Sequence, residues 1–418
     1  MTPTTIPVEP RANRRAWLML IVITMLTTAG MTVVLPVLPF VVLRYVSDHD
    51  DLALWVGALE TVNALCAFLV APLLGRVSDR YGRRPVIIVA GFGAALGYLI
   101  FGIGGAIGML LLGRIIQGLT AGDMPALFAY LADITPPEQR ARRFGLLGAL
   151  SGIGMMVGPA AGGLLAAIDV DLPVFATAGI AAVVAVLSIF LLPESLPREK
   201  RIARLELGSL HPFAVFREVF RRPELRPLML GLVLVGLPFG FFVNNFSVLG
   251  LDSIGWNATA IGLLTASVGI IDIAIQGWLL GVLLPRIGER GVIVSGIVAQ
   301  ALGMVALAVL ASVFAQPWLF IVGSLVLAAG QGAATATMDG VLSNSVSDDE
   351  QGWLAGAAQS LNAGVGIVAP ILAGVLYAQL SHAAPYWLGV ALMVAAAVVI
   401  GRARFASPSR TTEAVVAR

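Results

Sequence analysis

Apolar runs long enough to cross a lipid bilayer recur along the whole chain, and they limit its fold more than any other feature. A helix needs about 20 apolar residues to span the hydrocarbon core. Twelve such runs are predicted, near residues 16–38, 53–75, 86–105, 108–131, 145–167, 173–192, 228–250, 259–283, 292–313, 317–343, 353–378 and 384–401. Only 12% of the 418 residues are charged, whereas soluble domains carry roughly 25%. The sequence therefore predicts an all-α membrane protein with twelve transmembrane helices.

Basic residues fall almost entirely on one side of these spans. If the N-terminus is cytoplasmic, only Arg44 and Arg114 lie elsewhere, while the opposite loops carry aspartates such as Asp48, Asp169 and Asp252. Cytoplasmic loops of membrane proteins are enriched in Lys and Arg. We therefore expect both termini to be cytoplasmic and the protein to lie in the inner, or cell, membrane.

The chain also contains an internal duplication. The stretch Gly75–Arg84 returns in weakened form as Gly281–Arg290, and Val157–Gly163 returns as Val368–Gly374. Such repeats build transporters from related helix bundles, with the substrate site near mid-membrane at the repeat interface. The sequence therefore predicts two six-helix halves around a central cavity.

The duplication sets the predicted domain limits. Residues 1–192 form an N-terminal six-helix bundle, and residues 228–418 form a C-terminal six-helix bundle with a short cytoplasmic tail. Residues 193–227, rich in Arg, Glu and Pro, are predicted to be a cytoplasmic linker with a short surface helix around Pro212–Phe220.

A charged turn joins the second and third spans, and its key residues are Gly75, Asp79, Arg80, Gly82, Arg83 and Arg84. So many charges cannot lie in the bilayer core, so the turn must lie at a membrane face. A generic basic loop would explain the arginines but not this spacing. The pattern G-x-x-x-D-R-x-G-R-R resembles the signature loop of the major facilitator superfamily of secondary transporters.

That resemblance implies the major facilitator fold, with two pseudo-symmetric six-helix bundles, and a gating role for the charged turn. It implies that Asp133, at the inner end of the fourth span, joins Asp79 and nearby arginines in a network that locks the outward-open state. In the second copy Pro285 stands where Asp79 stands. We therefore expect the gating network, through Asp79, Arg80 and Asp133, in the first half only.

The fifth span contains an array of small residues and a proline, namely Gly154, Gly158, Pro159, Gly162 and Gly163. Small residues allow close helix approach in membranes. Close packing alone would explain single glycines better than the whole array. The array resembles the motif of the exporting, proton-antiporting members of the superfamily, which implies outward transport.

Five ionisable residues lie inside predicted spans: Glu60, Arg114, Asp123, Asp272 and Asp339. Charges within the bilayer are costly and mark functional sites. Glu60 and Arg114 both lie roughly 10 Å deep at 1.5 Å per residue, so they could pair. Such a pair would be either a gating, proton-responsive element or a static structural ion pair. Asp339 lies close to the end of its helix, where pairing with loop arginines is the expected role.

The candidates for proton coupling are Glu60, Arg114, Asp123 and Asp272. Arg114 lies in Gly113–Gly118, which resembles the fourth-helix motif in which the arginine is linked to coupling. Asp123 lies about 180° around the helix from Arg114, so the two are not expected to approach one point, and Asp123 is either a coupling site or faces a neighbouring helix. Asp272 has no basic residue predicted at its depth, and it is either a proton carrier or a structural, hydrogen-bonded aspartate.

A finer resemblance, over nearly the whole chain, is to the drug:proton antiporters and especially the tetracycline exporters. The matching stretches are Leu35–Pro39, Leu131–Thr135, Phe144–Gly145 and Gly255–Asn257. Two departures stand against a magnesium–tetracycline substrate. Thr27 replaces the first-span acid of those exporters, and Asp272 replaces the histidine expected in the eighth span.

The predicted substrate cavity combines aromatic and amide side chains, which suit a moderately lipophilic compound. These residues are Phe242, Asn244, Asn245, Gln276, Gln359 and Asn362. Each could equally face lipid or the helix interior. The leading hypothesis is proton-coupled export of small organic compounds, either drugs or drug-like metabolites. The alternatives are efflux of sugars or another endogenous metabolite, and a non-transporting membrane sensor.

Other classes of protein are disfavoured. The single cysteine, Cys66, leaves no disulfide framework or thiolate metal site, and no nucleophile–base set or phosphate loop indicates an enzyme. We expect no metal, no cofactor and no nucleic-acid partner. The expected partners are a small-molecule substrate, protons and the lipid bilayer, and the expected assembly is a monomer.

Overall fold

The computed structural model of the chain describes residues 10–46, 48, 51–202, 225–347 and 350–402. Across these ranges the backbone forms α-helices with short 3₁₀ and π segments and contains no β-strand. The surface helix predicted around Pro212–Phe220 lies outside the described residues. The prediction of an all-α protein is confirmed.

The first six spans are helical over most of their predicted length. They are Pro10–Val33 (followed by a short helix, Leu38–Val42), Leu52–Tyr81, Arg83–Ile103, the pair Ile107–Leu119 and Asp123–Ile134, Pro137–Ala166, and Leu172–Leu191. The second helix continues beyond its apolar run to Tyr81, and the fifth begins at Pro137, before its apolar run. The polar residues in these extensions contain no helix breaker, and the extensions stop at Gly82 and Pro136.

The last six spans follow the same plan. They are Arg226–Ile254, then Ala258–Ala274 with the π-helical Ile275–Leu279, then the ninth span within Leu280–Ser312, then Pro317–Asn344, Gln351–Gln379 and Ala384–Arg402. Gly288 has a φ of 70° and interrupts the helical backbone within Leu280–Ser312. This kink separates the eighth span from the ninth.

Ten helices of the described chain are long and apolar enough to cross a bilayer. The count is lower than twelve for two reasons. The fourth span consists of two short helices, and the eighth and ninth run together over Ala258–Ser312, whose 55 residues far exceed the roughly 20 that one crossing requires. Twelve helical spans are thus consistent with both the hydropathy and the structure.

The fourth span breaks between Leu119 and Asp123. The Thr120 hydroxyl donates to the carbonyl of Ile116 at 2.8 Å, which competes with regular helix hydrogen bonding. Pro125 lies in the first turn of the second piece, where a missing N–H is tolerated. Because of the break, the two pieces need not share one helix axis. Arg114 lies on the first piece and Asp123 on the second.

The described residues group into two compact units. The first contains the chain up to Leu52, then Leu59 to Ile202, and also Trp256–Gly269; the second contains Ala53–Ala58 and the remainder. The predicted domain limits stay a prediction. In the first unit, spans one, three, four and six share a core that includes Leu20, Ile87 and Leu127. In the second unit, spans seven, nine, ten, eleven and twelve share another apolar core.

Candidate functional site

Glu60 and Arg114 form an ion pair inside the first unit. The Arg114 Nη2 donates to Glu60 Oε1 at 2.7 Å, and the Arg114 side chain is only 7% exposed. Its Nη1 donates to Gln117 Oε1 at 3.2 Å, and the guanidinium lies over the Phe101 ring, 5.2 Å from the centroid. The pairing that depth alone predicted is present.

Close approach of three helices builds the surroundings of this pair. A Cβ at Gly97 would lie 2.7 Å from the carbonyl oxygen of Gly113, and a Cβ at Gly118 would lie 2.5 Å from that of Asn63. The Asn63 amide in turn donates to the carbonyl of Arg114 at 3.2 Å. These glycines are required because any side chain would push the second, third and fourth spans apart.

Asp123 opens the second piece of the fourth span, and its Oδ1 accepts the N–H of Met124 at 2.9 Å. Asp123 and the buried Tyr98 of the third span line the same small cavity. The expectation that Arg114 and Asp123 do not approach one point assumed one continuous helix between them. The helix breaks between Leu119 and Asp123, so the 180° relation does not apply, and the relation of the two residues stays a prediction.

The predicted gating network is centred on Arg83. Its Nη1 donates to Asp79 Oδ1 at 2.6 Å, and its Nε donates to Asp133 Oδ2 at 3.2 Å. Arg80, which was expected to carry the network, instead lies over the ring of Tyr81 at 5.3 Å. One arginine therefore joins the two carboxylates, and its side chain is only 13% exposed.

Glu194, which the sequence analysis did not single out, holds this turn in place. Its carboxylate accepts the backbone N–H groups of Arg83 at 2.9 Å and Arg84 at 3.3 Å. Gly82, with a φ of 112°, leaves the room that the carboxylate occupies. An anion at a helix N-terminus is favourable, so Glu194 caps the third span.

The segment that contains Glu194 runs along the same end of the first unit. The Tyr130 hydroxyl donates to the carbonyl of Pro193 at 2.9 Å, and the Ser195 hydroxyl donates to Asp133 Oδ2 at 2.9 Å. Further along, the Ile202 N–H donates to the carbonyl of Asp79 at 3.3 Å. The start of the predicted linker is therefore fixed to the charged turn.

The two copies of the charged turn share one further contact. Arg84 donates to the carbonyls of Ser188, at 3.2 Å, and Ile189, at the end of the sixth span. Arg290, the equivalent residue in the second copy, donates to the carbonyls of Ile400, at 3.4 Å, and Gly401, at the end of the twelfth. The second copy therefore also has an arginine that caps the last helix of its half.

Arg44, which lies on the opposite side of the predicted topology from most basic residues, also has an acidic partner. Its Nη1 lies 2.8 and 2.6 Å from the two carboxylate oxygens of Asp171. The hydrogen bond and the charge of Asp171 raise the pKa of Arg44. The pair joins the segment after the first span to the loop before the sixth.

The glycines of the fifth span fit against the first span. A Cβ at Gly154 would collide with the Thr28 hydroxyl, and a Cβ at Gly158 would lie 2.5 Å from the carbonyl of Ala29; Gly162 faces the carbonyl of Val33. The Thr28 hydroxyl is held by its own helix. The spacing of the glycine array therefore matches successive turns of one neighbouring helix.

Pro159 and Gly163 face the eighth span within the same unit. The Thr259 hydroxyl donates to the carbonyl of Gly163 at 2.7 Å. A Cβ at Gly262 would collide with the carbonyl of Pro159 and would lie 2.9 Å from Gly163 Cα. The antiporter-like motif thus contacts two helices through two faces of the fifth span.

Asp272 in the second unit has a neutral partner. Gln276 Nε2 donates to Asp272 Oδ2 at 2.9 Å, and Gln276 belongs to the π-helical turn Ile275–Leu279. A Cβ at Gly332 of the tenth span would collide with Asp272 Oδ1. Among the described side chains, no basic group pairs with Asp272, and exposed Asp339 has no ion-pair partner either. Single π turns occur frequently at functional sites.

The predicted cavity residues divide into buried and exposed groups. Phe242 is 4% exposed and packs edge-on against Phe246, with ring centroids 5.1 Å apart. Asn244 donates to Asn245 at 2.9 Å, and Asn245 donates to the carbonyl of Ala373 at 3.2 Å. Gln276, Gln359 and Asn362 are exposed. The asparagines therefore connect the seventh span to the eleventh.

Comparison with known proteins assigns the family. The model for the Major Facilitator Superfamily matches residues 20–313 and 239–416, most of the chain. The chain belongs to the major facilitator superfamily. The charged turn and the glycine array thus lie in a chain of the superfamily whose motifs they resemble.

Two tetracycline resistance proteins match the chain over nearly the full length of both partners. The chain is 36% identical to the class C tetracycline resistance protein of Escherichia coli, over 90% of this chain and 92% of that protein. It is 31% identical to the class H protein of Pasteurella multocida, over 96% and 98%. The crystal structure of the human organic anion transporter MFSD10 (TETRAN) shares the fold, with a TM-score of 0.66, 22% identity, and coverage of 93% of this chain and 99% of that one.

Proposed function

We propose that this protein is a proton-coupled secondary active exporter of small organic compounds, either drugs or drug-like metabolites, that works by alternating access. The observation that carries the proposal is the full-length similarity to tetracycline resistance proteins. In this proposal the protein acts as a monomer in the inner membrane with both termini cytoplasmic.

Asp272 is the proposed proton carrier. Its neutral partner, Gln276, can hydrogen-bond to the charged and the protonated carboxyl group, so proton exchange does not require an ion pair to be broken. The π-helical turn beside it supports a functional role, because such turns interrupt regular helix bonding. Glu60 with Arg114, and Asp123, are the proposed coupling groups of the first unit.

The charged turn is the proposed gate. Arg83 holds Asp79 and Asp133 together, and each hydrogen bond to a charged group is worth about 1.5–3 kcal/mol. The network can therefore stabilise one conformation. Its loss would shift the populations of the conformations, and this shift would lower the rate of transport. Outward transport is supported by the glycine array of the fifth span.

Substrate contacts are proposed for the aromatic Phe242 and for the amides of Asn244, Gln359 and Asn362. Phe242 belongs to a buried aromatic cluster, while Gln359 and Asn362 present exposed amides. Asn244 keeps a buried Oδ1 without a hydrogen-bond partner among the described residues, and an amide in this state can accept a hydrogen bond from a compound.

Uptake into everted membrane vesicles tests the proposal. An acid-inside pH gradient would be imposed on vesicles with and without the protein, and labelled tetracycline (with and without Mg²⁺), ethidium, a quinolone and simple sugars would be supplied. We expect at least one drug to accumulate and to be released when a protonophore collapses the gradient. If no organic compound accumulates, the proposal fails. Accumulation of sugars alone would favour the metabolite-efflux alternative.

A further inference from the structure

A small cavity lies in the middle of the first unit, beside Asp123. Its volume is about 30 Å³, and its polar lining comes from Thr27, Tyr98, Asp123 and Thr177 on four different spans. A site of ~10–15 Å³ with two to four polar neighbours is enough to hold one water molecule. The cavity has both the room and the polar groups.

The hydroxyl of Thr27 is the group that points to a ligand. Thr27 is only 8% exposed, and its Oγ1 has no hydrogen-bond partner among the described residues. The next threonine of the same helix, Thr28, donates to its own helix at 2.9 Å, and so does Thr177 at 2.9 Å. A buried hydroxyl left without a hydrogen-bond partner is destabilising, so a partner in the cavity is expected.

Tyr98 connects this cavity to the ion pair. It is 8% exposed and lines the cavity. On the same helix, three residues further on and therefore on the same face, the Phe101 ring lies under the Arg114 guanidinium at 5.2 Å. A phenol both donates and accepts. It can therefore hydrogen-bond to a group in the cavity and to the guanidinium of Arg114.

We propose that the cavity binds one water molecule, held by Thr27 Oγ1, the Asp123 carboxyl group and the Tyr98 hydroxyl, and that this water couples protonation of Asp123 to the Glu60–Arg114 pair. This rests on the proposed proton coupling and goes further, because it assigns Thr27 and Tyr98 as positioning residues. Thr27, which stands where the tetracycline exporters have an acid in the first span, then serves to hold the water.

Among the described residues that line the cavity, Asp123 alone carries a charge, because the first span contributes neutral Thr27 and the sixth contributes neutral Thr177. Glu60 and Arg114 are paired with each other at 2.7 Å, and Arg114 lies over Phe101 of the span that carries Tyr98. We therefore expect the charge of Glu60 to influence Asp123 through Tyr98. The water forms and breaks no covalent bond in this coupling, because it transmits the charge state of Asp123 through its hydrogen bonds to Thr27 and Tyr98.

Infrared spectroscopy of the full-length protein in lipid nanodiscs tests this directly and without transport. The carboxylic C=O band of Asp123, identified by its loss in Asp123→Asn, would be titrated with pH. We expect Thr27→Val to shift the midpoint by about one pH unit, a tenfold change in proton affinity, and Thr27→Ser to restore it. Thr177→Val is the matched control, because that hydroxyl is already bonded within its helix, and it should leave the midpoint unchanged.

A double-mutant cycle tests the link to the ion pair. Glu60→Gln should shift the Asp123 midpoint in the native background and should shift it much less in Tyr98→Phe. Equal shifts in both backgrounds would overturn the coupling, and a midpoint that depends on Na⁺ would show that the cavity binds a cation instead of water. If the spectra behave as expected but vesicle uptake is independent of the pH gradient, the proposed function fails while the water site stands.

Discussion

Glu194 Oε1 lies 2.9 Å from the backbone nitrogen of Arg83. This contact joins the segment after the sixth span to the first residue of the third, next to the side chain that bridges Asp79 and Asp133. The backbone of Arg83 is thus held by one carboxylate while its guanidinium holds two others. The position of Arg83 is therefore fixed at both its backbone and its side chain.

Removal of the Glu194 carboxylate should loosen the charged turn. We expect Glu194→Ala to destabilise the protein by about 1 kcal/mol, the typical value of a helix cap, and to reduce transport. Glu194→Gln, which keeps an acceptor, should lose less. Glu199→Ala removes an exposed carboxylate from the same segment and is the control. Thermal unfolding in detergent and vesicle uptake would measure both effects, and equal behaviour of the Glu194 and Glu199 variants would contradict the capping role.

Charge reversal at Asp79 should be far more harmful than change at the equivalent position of the second copy. Asp79→Arg places a positive charge beside Arg83, where an ion pair of 2.6 Å now exists, and like charges there are repulsive. We expect uptake to fall at least tenfold. Pro285→Ala should retain most activity, because Pro285, which stands where Asp79 stands in the first copy, has no carboxylate to pair with an arginine. Comparable losses would show that the two copies are not functionally different.

Packing of the fifth span on the first can be tested by a rescue. Gly154→Ala should impair folding or transport, because the new methyl group would collide with the Thr28 hydroxyl, and such overpacking costs about 1–3 kcal/mol. Adding Thr28→Ala removes that atom and should restore part of the loss. Gly152→Ala is the control, since no atom lies within 4 Å of a Cβ there. Yield of folded protein and vesicle uptake are the measurements, and an absence of rescue would mean that backbone contacts decide the fit.

Hydropathy predicted the spans because each apolar run is a local property of the chain, but the site depended on contacts between distant segments. The break at 120–122 could not be read from apolar periodicity, which runs through it, so the sequence could not give the orientation of Asp123 relative to Arg114. Glu194 lay in the predicted linker, and its role depends on where the chain folds back. Gln276 is different, because its i, i+4 spacing from Asp272 was a visible signal of side-chain contact.

Substitution of one partner and then of both can show whether the Glu60–Arg114 pair is proton-responsive or only structural. Loss of one partner leaves a buried charge and should cost about 3–5 kcal/mol, whereas replacing both by apolar residues is often neutral. We expect Glu60→Gln to lower the yield of folded protein and Glu60→Leu with Arg114→Met to restore it. If the pair is proton-responsive, the double variant will be folded but uncoupled from the pH gradient. If its uptake matches the native protein, the pair is only structural.

Asp272→Asn is the decisive change in the second unit. Asparagine keeps the shape and can still bond to Gln276, which now lies 2.9 Å from the carboxylate, but it cannot take up or release a proton. We therefore expect gradient-driven accumulation to be lost while exchange of labelled for unlabelled substrate across the vesicle membrane continues. Asp339→Asn, which alters an exposed aspartate without an ion-pair partner among the described residues, should retain both activities. Accumulation that persists in Asp272→Asn would transfer the carrier role to Asp123 or Glu60, because no other carboxylates were placed within the predicted spans besides these and Asp339.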